Sequence, residues 1–425
     1  MTAHDLFAVT AHGVAALCAA ELTAIGVAGR VEIGGVAWRG TASSMYRANL
    51  ELRTASRIIA RVGTFRARGF AELERRAARL PWQNFLRQGT PVVLRVTCRK
   101  SKLYHEGAVG ERVARVLADT AGVSIVRGGS GDDEADDAYD APGAPHALAA
   151  GAPSTVQQGA QSPAGTQLII IRFMRDECTI SVDSSGALLH QRGYRRAVAK
   201  APLRETMAAA LLLAAGWRGD TPLLDPLCGS GTIPIEAALL AGGIAPGIAR
   251  ADLTPRAFAF EAWPHFDGAA YSEIVRSARA SVRPVRTPIV GADRNAGAIA
   301  AARANADRAG VLSHLEFRRA SLADLEAMPG SGHVVTNPPY GVRVGDRREL
   351  RALYAMLGRT ISARLPGWSV TMLAADDALA AATGLPLVEQ LATRNGGIPV
   401  RLLSTAGTGA ARPVYQPPHS DEENS

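Results

Sequence analysis

From Pro222 to Thr405, short apolar runs alternate with helical periodicity, and that alternation leaves few folds open. Pro222–Leu227, Pro288–Ala292, His314–Arg319, His333–Thr336 and Ser369–Ala374 read as strands, with helices over Ile233–Ala241, Ala296–Ala309 and Arg348–Arg364. Short apolar runs without internal alternation fit strands buried on both faces, and strands that alternate with helices build a parallel sheet covered on both sides. Two last runs, near Leu387–Thr393 and Val400–Thr405, have no long helix between them and predict an antiparallel hairpin at the sheet edge. The expectation is an α/β, Rossmann-like sheet of seven strands, entered through a helix over Leu203–Ala215.

The strongest local signal is Leu223-Leu224-Asp225-Pro226-Leu227-Cys228-Gly229-Ser230-Gly231-Thr232. A buried strand ends in an acid, and a Gly-x-Gly turn then opens a helix whose N–H groups face a ligand beyond the strand ends. Pro234 stands where a dinucleotide fingerprint needs its third glycine. The acid at the end of the second strand, Asp293, comes roughly 60 residues after the turn, about three times the dinucleotide spacing. Asp293 is nevertheless placed to take both hydroxyls of a ribose, as such strand-end acids do. The bland alternative makes Asp225 and Asp293 strand-end caps and the glycines a tight turn.

Val334-Val335-Thr336-Asn337-Pro338-Pro339-Tyr340-Gly341 ends the fourth strand. Two prolines alone make a rigid turn. They also remove backbone N–H donors and leave carbonyl acceptors, to which Asn337 adds a side-chain carbonyl and Tyr340 a stacking face. An acceptor pair beside a flat ring suits a planar exocyclic amine. Its lone pair is delocalised into the ring; acceptors for its two N–H groups favour a pyramidal nitrogen able to attack a methyl sulfonium in line. Catalysis of this kind is orientation and dipole placement, with no strong base needed before attack.

The Asp225–Thr232 turn and Asn337-Pro338-Pro339-Tyr340 together resemble class I S-adenosylmethionine-dependent amino-methyltransferases. Cys98-Arg99-Lys100-Ser101-Lys102-Leu103-Tyr104-His105-Glu106-Gly107, Leu189–Arg195, Ala201–Glu205 and Phe258–Trp263 narrow the resemblance to the THUMP-domain RNA methyltransferases, in the branch of the bacterial 23S rRNA guanine-N2 enzymes. That resemblance implies a class I methyltransferase sheet over 203–411. It implies an α+β ferredoxin-like module over 1–62, a THUMP-like RNA-binding region over 63–186 and a linker over 187–202. S-adenosylmethionine would be held by Asp225, Pro226, Cys228, Gly229, Ser230, Gly231, Thr232, Asp293, Arg294 and Ser321. Asn337, Pro338, Pro339 and Tyr340 would be catalytic. Where the family carries an acid after the third strand, this chain has Ala320-Ser321-Leu322, with Asp324 three residues after Ser321. RNA, rRNA before tRNA, is the expected partner. DNA adenine and protein glutamine methyltransferases share Asn-Pro-Pro-Tyr, and a nucleotide-dependent oxidoreductase or a non-catalytic RNA-binding assembly factor are the other classes kept open.

Charge agrees with a polyanionic partner without naming one. The net charge is +8, and the 47 basic residues comprise three lysines (Lys100, Lys102, Lys200) and hence 44 arginines. Gly128–Gln167 contains no Lys or Arg but six acids, so the rest of the chain carries +14 (8 plus 6). That segment and the tail from 412 read as disordered, for want of apolar residues to bury. Arginines are dense between Arg53 and Arg87, a pattern that also suits a solvated helix face; Arg99, Lys100, Lys102, Arg192 and Arg195 are the named candidates for phosphate contact. The cysteines, Cys18, Cys98, Cys178 and Cys228, form no C-x-x-C pair, so no metal site and a reduced, cytoplasmic setting are expected. No run of 18 or more uncharged apolar residues suggests a membrane span.

Overall fold

The computed structural model describes residues 3–126, 165–195, 203–328, 330–340 and 347–405. The N-terminal half opens with β1 (His4–Thr10), α1 (Ala15–Ala24), β2 (Arg30–Glu32), β3 (Gly35–Gly40), α2 (Ala42–Glu51) and β4 (Ala55–Arg66). It continues through α3 (Phe70–Ala77), β5 (Pro91–Arg99), α4 (Glu106–Ala121), β6 (Ser124–Ile125), β7 (Gln167–Met174) and β8 (Glu177–Asp183). All eight strands join one sheet in the order β2-β3-β1-β4-β8-β7-β5-β6. The 12-residue β4 ties the two expected N-terminal modules together: its first half pairs with β1 and its second with β8. Alternation along the strands divides the faces. Leu6, Ala8, Ile58, Ala60, Ile169, Ile171 and Phe173 pack under the helices, while Phe7, Val9 and Ile59 form a small apolar cluster on the opposite side.

The second half runs α5 (Glu205–Ala214), β9 (Leu223–Asp225), α6 (Thr232–Ala241), α7 (Gly268–Ala280), β10 (Ile289–Asp293), α8 (Ala296–Arg308) and β11 (Glu316–Arg319). It ends with β12 (His333–Thr336), α9 (Arg347–Arg364), β13 (Ser369–Ala374), α10 (Asp377–Ala382), β14 (Leu387–Asn395) and β15 (Ile398–Thr405). Its seven strands are ordered β11-β10-β9-β12-β13-β15-β14. Every described pairing from β11 to β13 is parallel, and β15 is antiparallel to both neighbours. This is the doubly wound sheet with an edge hairpin that the alternation predicts. The sequence placed β12 and β13 to the residue; β9 is shorter than read, because Pro226 withdraws a backbone donor and turns the chain out of the ladder.

Arginine guanidiniums join the halves. On one side, Arg53 donates to the carbonyl of Ile244 (2.8 Å), while Arg87 reaches the carbonyls of Ala262 and Trp263 (both 3.2 Å). Trp263 Nε1 donates to Gln167 Oε1 at 2.9 Å, and the Tyr46 ring lies tilted against that of Phe260, with centroids 4.5 Å apart. The Phe258–Trp263 segment, inserted between the turn and Asp293, is thus a wedge that packs on the N-terminal sheet. Arg192 is 2% exposed and donates to the carbonyls of Leu189 and Arg53 (2.6 Å each), with its Nε 3.6 Å from Glu236 on α6. Glu236, fully buried, accepts from Tyr194 Oη at 2.9 Å.

These contacts correct the charge reading. Arg192 cannot contact phosphate, because burial and two carbonyl acceptors hold it inside. Arg195 donates to the Leu203 carbonyl and pairs with Glu205 at 3.2 Å, which removes it from the RNA set as well. Arg57 is buried against Asp183, and Arg53 and Arg87 are interface clamps. Arg99, Lys100 and Lys102 are exposed at the end of β5, where the Lys102 N–H donates to Asp176 at 2.8 Å. Gln167, expected to close the acidic segment, is already buried in β7. Residues 128–164, 196–202 of the expected linker, and the tail from 412 lie outside the described residues.

Removing one partner of a buried ion pair costs about 3–5 kcal/mol, because the other charge stays buried. Arg192→Ala should therefore destabilise the chain by that amount in urea unfolding, and Arg192→Met with Glu236→Leu should recover much of it. A loss below about 1 kcal/mol for the single change would show that Arg192 and Glu236 do not hold the halves together.

Candidate active site

The strand order reverses between β9 and β12, and open α/β sheets bind ligands in the crevice beyond the carboxyl ends at such a point. Both sequence motifs end there, one after β9 and the other after β12. Thr336 Oγ1 joins them, donating to Asp225 Oδ1 at 2.8 Å. The Leu227 N–H donates to the same carboxylate at 3.2 Å. Asp225 is 2% exposed, and burial pushes its pKa up to about 7 against the pull of these two bonds.

The turn is built from crossing backbone bonds. The Cys228 N–H donates to the Ala292 carbonyl (2.9 Å) and the Gly229 N–H to Asp293 Oδ2 (3.1 Å), which draws the turn toward the end of β10. Asn305 of α8 donates to the Ser230 carbonyl at 3.1 Å. Gly231 has φ +84°, and a Cβ there would sit 2.9 Å from that of Ala302, so helix packing as well as conformation requires glycine. Gly229 differs: its φ is +52°, but a Cβ would meet nothing within 4 Å. Its bare backbone borders open space, the cradle a ligand backbone contact needs. The Cys228 thiol is buried and pushed up, so it is a packing group and no nucleophile.

Asp293 is half-buried. Its Oδ1 accepts from the Asn295 N–H at 2.8 Å and its Oδ2 from Gly229, which fixes the carboxylate and leaves lone pairs for two hydroxyls. Arg294 follows it at the mouth of α8. Ser321 Oγ donates to Asp324 Oδ2 at 2.6 Å and its N–H to the same oxygen at 3.2 Å. The acid absent from position 321 is thus brought back in space by a single 3-10 turn, and the Ser321 bonds hold Asp324 below the usual carboxylate range. A serine followed three residues on by an acid is the signal that identifies this pair in sequence.

Beyond β12, Asn337 Oδ1 is buried without a hydrogen-bond partner among the described residues. A buried acceptor left unsatisfied costs about 1–3 kcal/mol, and such a cost is retained where a ligand supplies the donor. Pro338 is buried beside it; the Pro339 carbonyl accepts from Tyr354 Oη at 3.3 Å. Tyr340 is half-buried, and Asn395 Nδ2 donates to its hydroxyl at 2.7 Å. Asn395 closes β14, next to two glycines with positive φ that turn the edge hairpin. Nothing in the sequence near Asn395 marks it; only the sheet order brings the edge hairpin to Tyr340.

The residues fit an adenosyl cofactor. They offer a bare Gly229 backbone, a fixed acid at the end of β10, a Ser–Asp pair after β11 and an orphaned acceptor where the group to be modified would stand. Among the described residues no group of three or more His, Cys, Asp or Glu side chains could hold a metal.

Comparison with known proteins gives the same assignment. Residues 192–403 match the RMKL-like methyltransferase domain, and residues 5–59 match the RlmL ferredoxin-like domain. A Synechocystis protein provisionally described as an RNA methyltransferase is 31% identical over 95% of this chain and 96% of its own. The ribosomal RNA large subunit methyltransferase K/L of Syntrophotalea carbinolica is 33% identical over 94% of this chain, which spans only 53% of that relative. The crystal structure of SMU.472, described as a methyltransferase in complex with SAH, aligns with a TM-score of 0.79 at 29% identity, over 96% of this chain and 99% of its own. The chain therefore belongs to the RMKL-like family of S-adenosylmethionine-dependent RNA methyltransferases.

Proposed function

We propose that this protein methylates the exocyclic N2 amine of a guanine in large-subunit ribosomal RNA. The observation that carries the reading is the unpartnered, buried Asn337 Oδ1 at the end of β12. The K/L relatives named as large-subunit ribosomal RNA methyltransferases support the substrate class. The cofactor supplies an electrophilic methyl group when bound; Asp293 would hold its ribose, the Cys228–Thr232 turn and Asp225 its amino-acid end, and Ser321 with Asp324 its base.

Asn337 Oδ1 accepts one amine N–H, and the backbone carbonyl of Pro338 the other. The Pro339 carbonyl already accepts from Tyr354 Oη, which favours Pro338 as the second acceptor. Two acceptors orient the nitrogen lone pair away from themselves, toward the turn. Tyr340 carries the base on its ring, and Asn395 fixes that ring through its hydroxyl. The N2 amine of a paired guanine lies in the duplex groove, so the target nucleotide is unpaired or flipped out before Asn337 reaches it.

Transfer of labelled methyl to RNA from a strain lacking this gene, followed by nucleoside mass spectrometry, tests the reading. N2-methylguanosine is expected; N6-methyladenosine or no product would refute it. Asn337→Ala should abolish transfer while calorimetric affinity for S-adenosylmethionine stays near wild type. Asp293→Ala should weaken that affinity by about 2–4 kcal/mol, the worth of two hydrogen bonds to a charged acceptor.

Asn395→Ala frees the Tyr340 ring. It should raise KM for RNA several-fold, by an energy on the order of 1 kcal/mol, with cofactor affinity unchanged; an unaltered KM would remove the hairpin from the site. Asp225 has a pH signature. With its pKa at about 7, it is largely protonated below neutrality, and the cationic cofactor favours its ionised form. Cofactor affinity should therefore strengthen as pH rises through neutrality, and Asp225→Asn should flatten that profile. An equally steep profile in the variant would assign the dependence to another group.

A further inference from the structure

The loop after β1 touches the far end of the chain. Gly13 has a φ of +76°, which only glycine adopts freely, and it lies against the edge strand β14. A Cβ there would collide with the Ala392 carbonyl oxygen and stand 3.8 Å from the Leu391 Cβ. His12 Nδ1 reaches the same carbonyl at 3.4 Å, across 380 positions of sequence. Ala11 and Leu391, on the two sides of this meeting point, are half-buried and pack against the main core. β14 ends the sheet order after β15, so no described strand pairs with its outer side.

An edge strand held by one neighbour is a soft element, and a covering loop is one way to fix it. β14 is softened further at two points. Its register with β15 shifts between Glu389 and Leu391, a bulge that disrupts the ladder just before the contact. Its far end turns through Gly396 and Gly397, both with positive φ. Between these points Ala392, Thr393, Arg394 and Asn395 pair in regular register with β15. Asn395, about 10 Å of strand from Ala392, is the residue that donates to Tyr340 Oη at 2.7 Å. The loop thus grips β14 inside its regular span, where a push on the strand reaches Tyr340 without being absorbed by the bulge or the glycines.

We propose that the loop of residues 11–13 is a positioning latch for the substrate platform: Gly13 and His12 seat β14, and β14, through Asn395, sets the Tyr340 ring. The role of that ring as the platform for the base rests on the reaction proposed above. The N-terminal module thereby takes part in the geometry of an active site that lies in the other half of the chain. β9, whose turn forms the cofactor cradle, stands four places from β14 in the sheet order, so cofactor affinity is independent of the latch.

Fluorine NMR of the full chain, grown with meta-fluorotyrosine, reads the ring directly, and Tyr340→Phe assigns its resonance. Gly13→Ala should move that resonance, as Asn395→Ala does. Leu391→Ala, which removes the side chain seated beside the loop, should move it from the strand's side of the contact. Gly26→Ala is the control: its φ is +78°, so alanine strains the backbone of the same module, but a Cβ there meets nothing within 4 Å. It should leave the resonance in place. In total methyl transfer, Gly13→Ala should raise KM for RNA about fivefold, the net worth of one hydrogen bond, with SAH affinity unchanged. Added to Asn395→Ala, it should change KM by less than about twofold, because the route through Asn395 is already cut.

A Tyr340 resonance that stays in place in Leu391→Ala, or in a folded Gly13→Ala, overturns the proposal. So does one that Gly26→Ala moves equally, since backbone strain alone would then account for the change. A KM loss from Gly13→Ala that adds in full to that of Asn395→Ala also overturns it, because the loop would act by another route. Should Gly13→Ala fail to fold, Leu391→Ala decides. The resonance involves neither RNA nor methyl transfer. A ring that answers to the loop in a chain that leaves guanine unmodified would refute the proposed reaction and leave the latch standing.

Discussion

The buried carboxylate of Glu236 is the point on which both halves of the molecule depend. It lies on α6, whose first residue closes the glycine turn, and it meets Arg192 and Tyr194 from the junction that follows the N-terminal sheet. Arg192 in turn caps the Arg53 carbonyl, and Arg53 reaches the Ile244 carbonyl beyond the far end of α6. A charge out of water is tolerated only when paired and hydrogen-bonded, and the energy of the pair depends steeply on geometry. The helix that bears the cofactor turn is therefore fixed to the N-terminal half. A shift of one relative to the other would strand a carboxylate in the core.

The same logic explains why the turn itself is rigid before any ligand arrives. Asp293 receives the Gly229 and Asn295 N–H groups, Asp225 receives Thr336 and Leu227, and Asn305 holds Ser230. The two carboxylates and the turn backbone they hold are thus already ordered before binding. Asn337 Oδ1 is the exception in this crevice, a preorganised acceptor whose partner must come from the substrate. Preorganised dipoles aimed at the reacting group need no reorganisation at the moment of transfer. That suits chemistry in which the protein's main task is to hold a weak nucleophile in line.

The C-terminal sheet was legible because its information is local. Apolar runs bounded by Asp225-Pro226 and by Asn337-Pro338-Pro339 announce strand ends, and the missing helix between β14 and β15 announces a hairpin. The fate of the arginines was illegible for the opposite reason. Arg57 meets Asp183, and Arg87 the carbonyl of Trp263, across more than a hundred residues. Charge along the chain says nothing about which of these ends are buried. Asn395 was missed likewise: it is an ordinary residue until the sheet order sets the edge hairpin beside Tyr340. Ser321 was half legible, since its acid partner was visible three residues on but the 3-10 turn that joins them was not.

The preponderance of arginine over lysine, 44 against three, then acquires a structural meaning beyond charge. Arg192, Arg256 and Arg53 each serve backbone carbonyls at segment junctions, and Arg256 alone caps those of Ala187, Leu188 and Gln191. A lysine carries one compact, strongly hydrated centre and would satisfy such carbonyls only by dragging water or bending the chain toward itself; a guanidinium spans them with a planar fork of five donors. Carbonyls at irregular junctions are the groups that helices and sheets leave unsatisfied, and burying them without donors would cost more than the interface gains. The arginines inside this protein are the substitute for secondary structure where the two sheets meet.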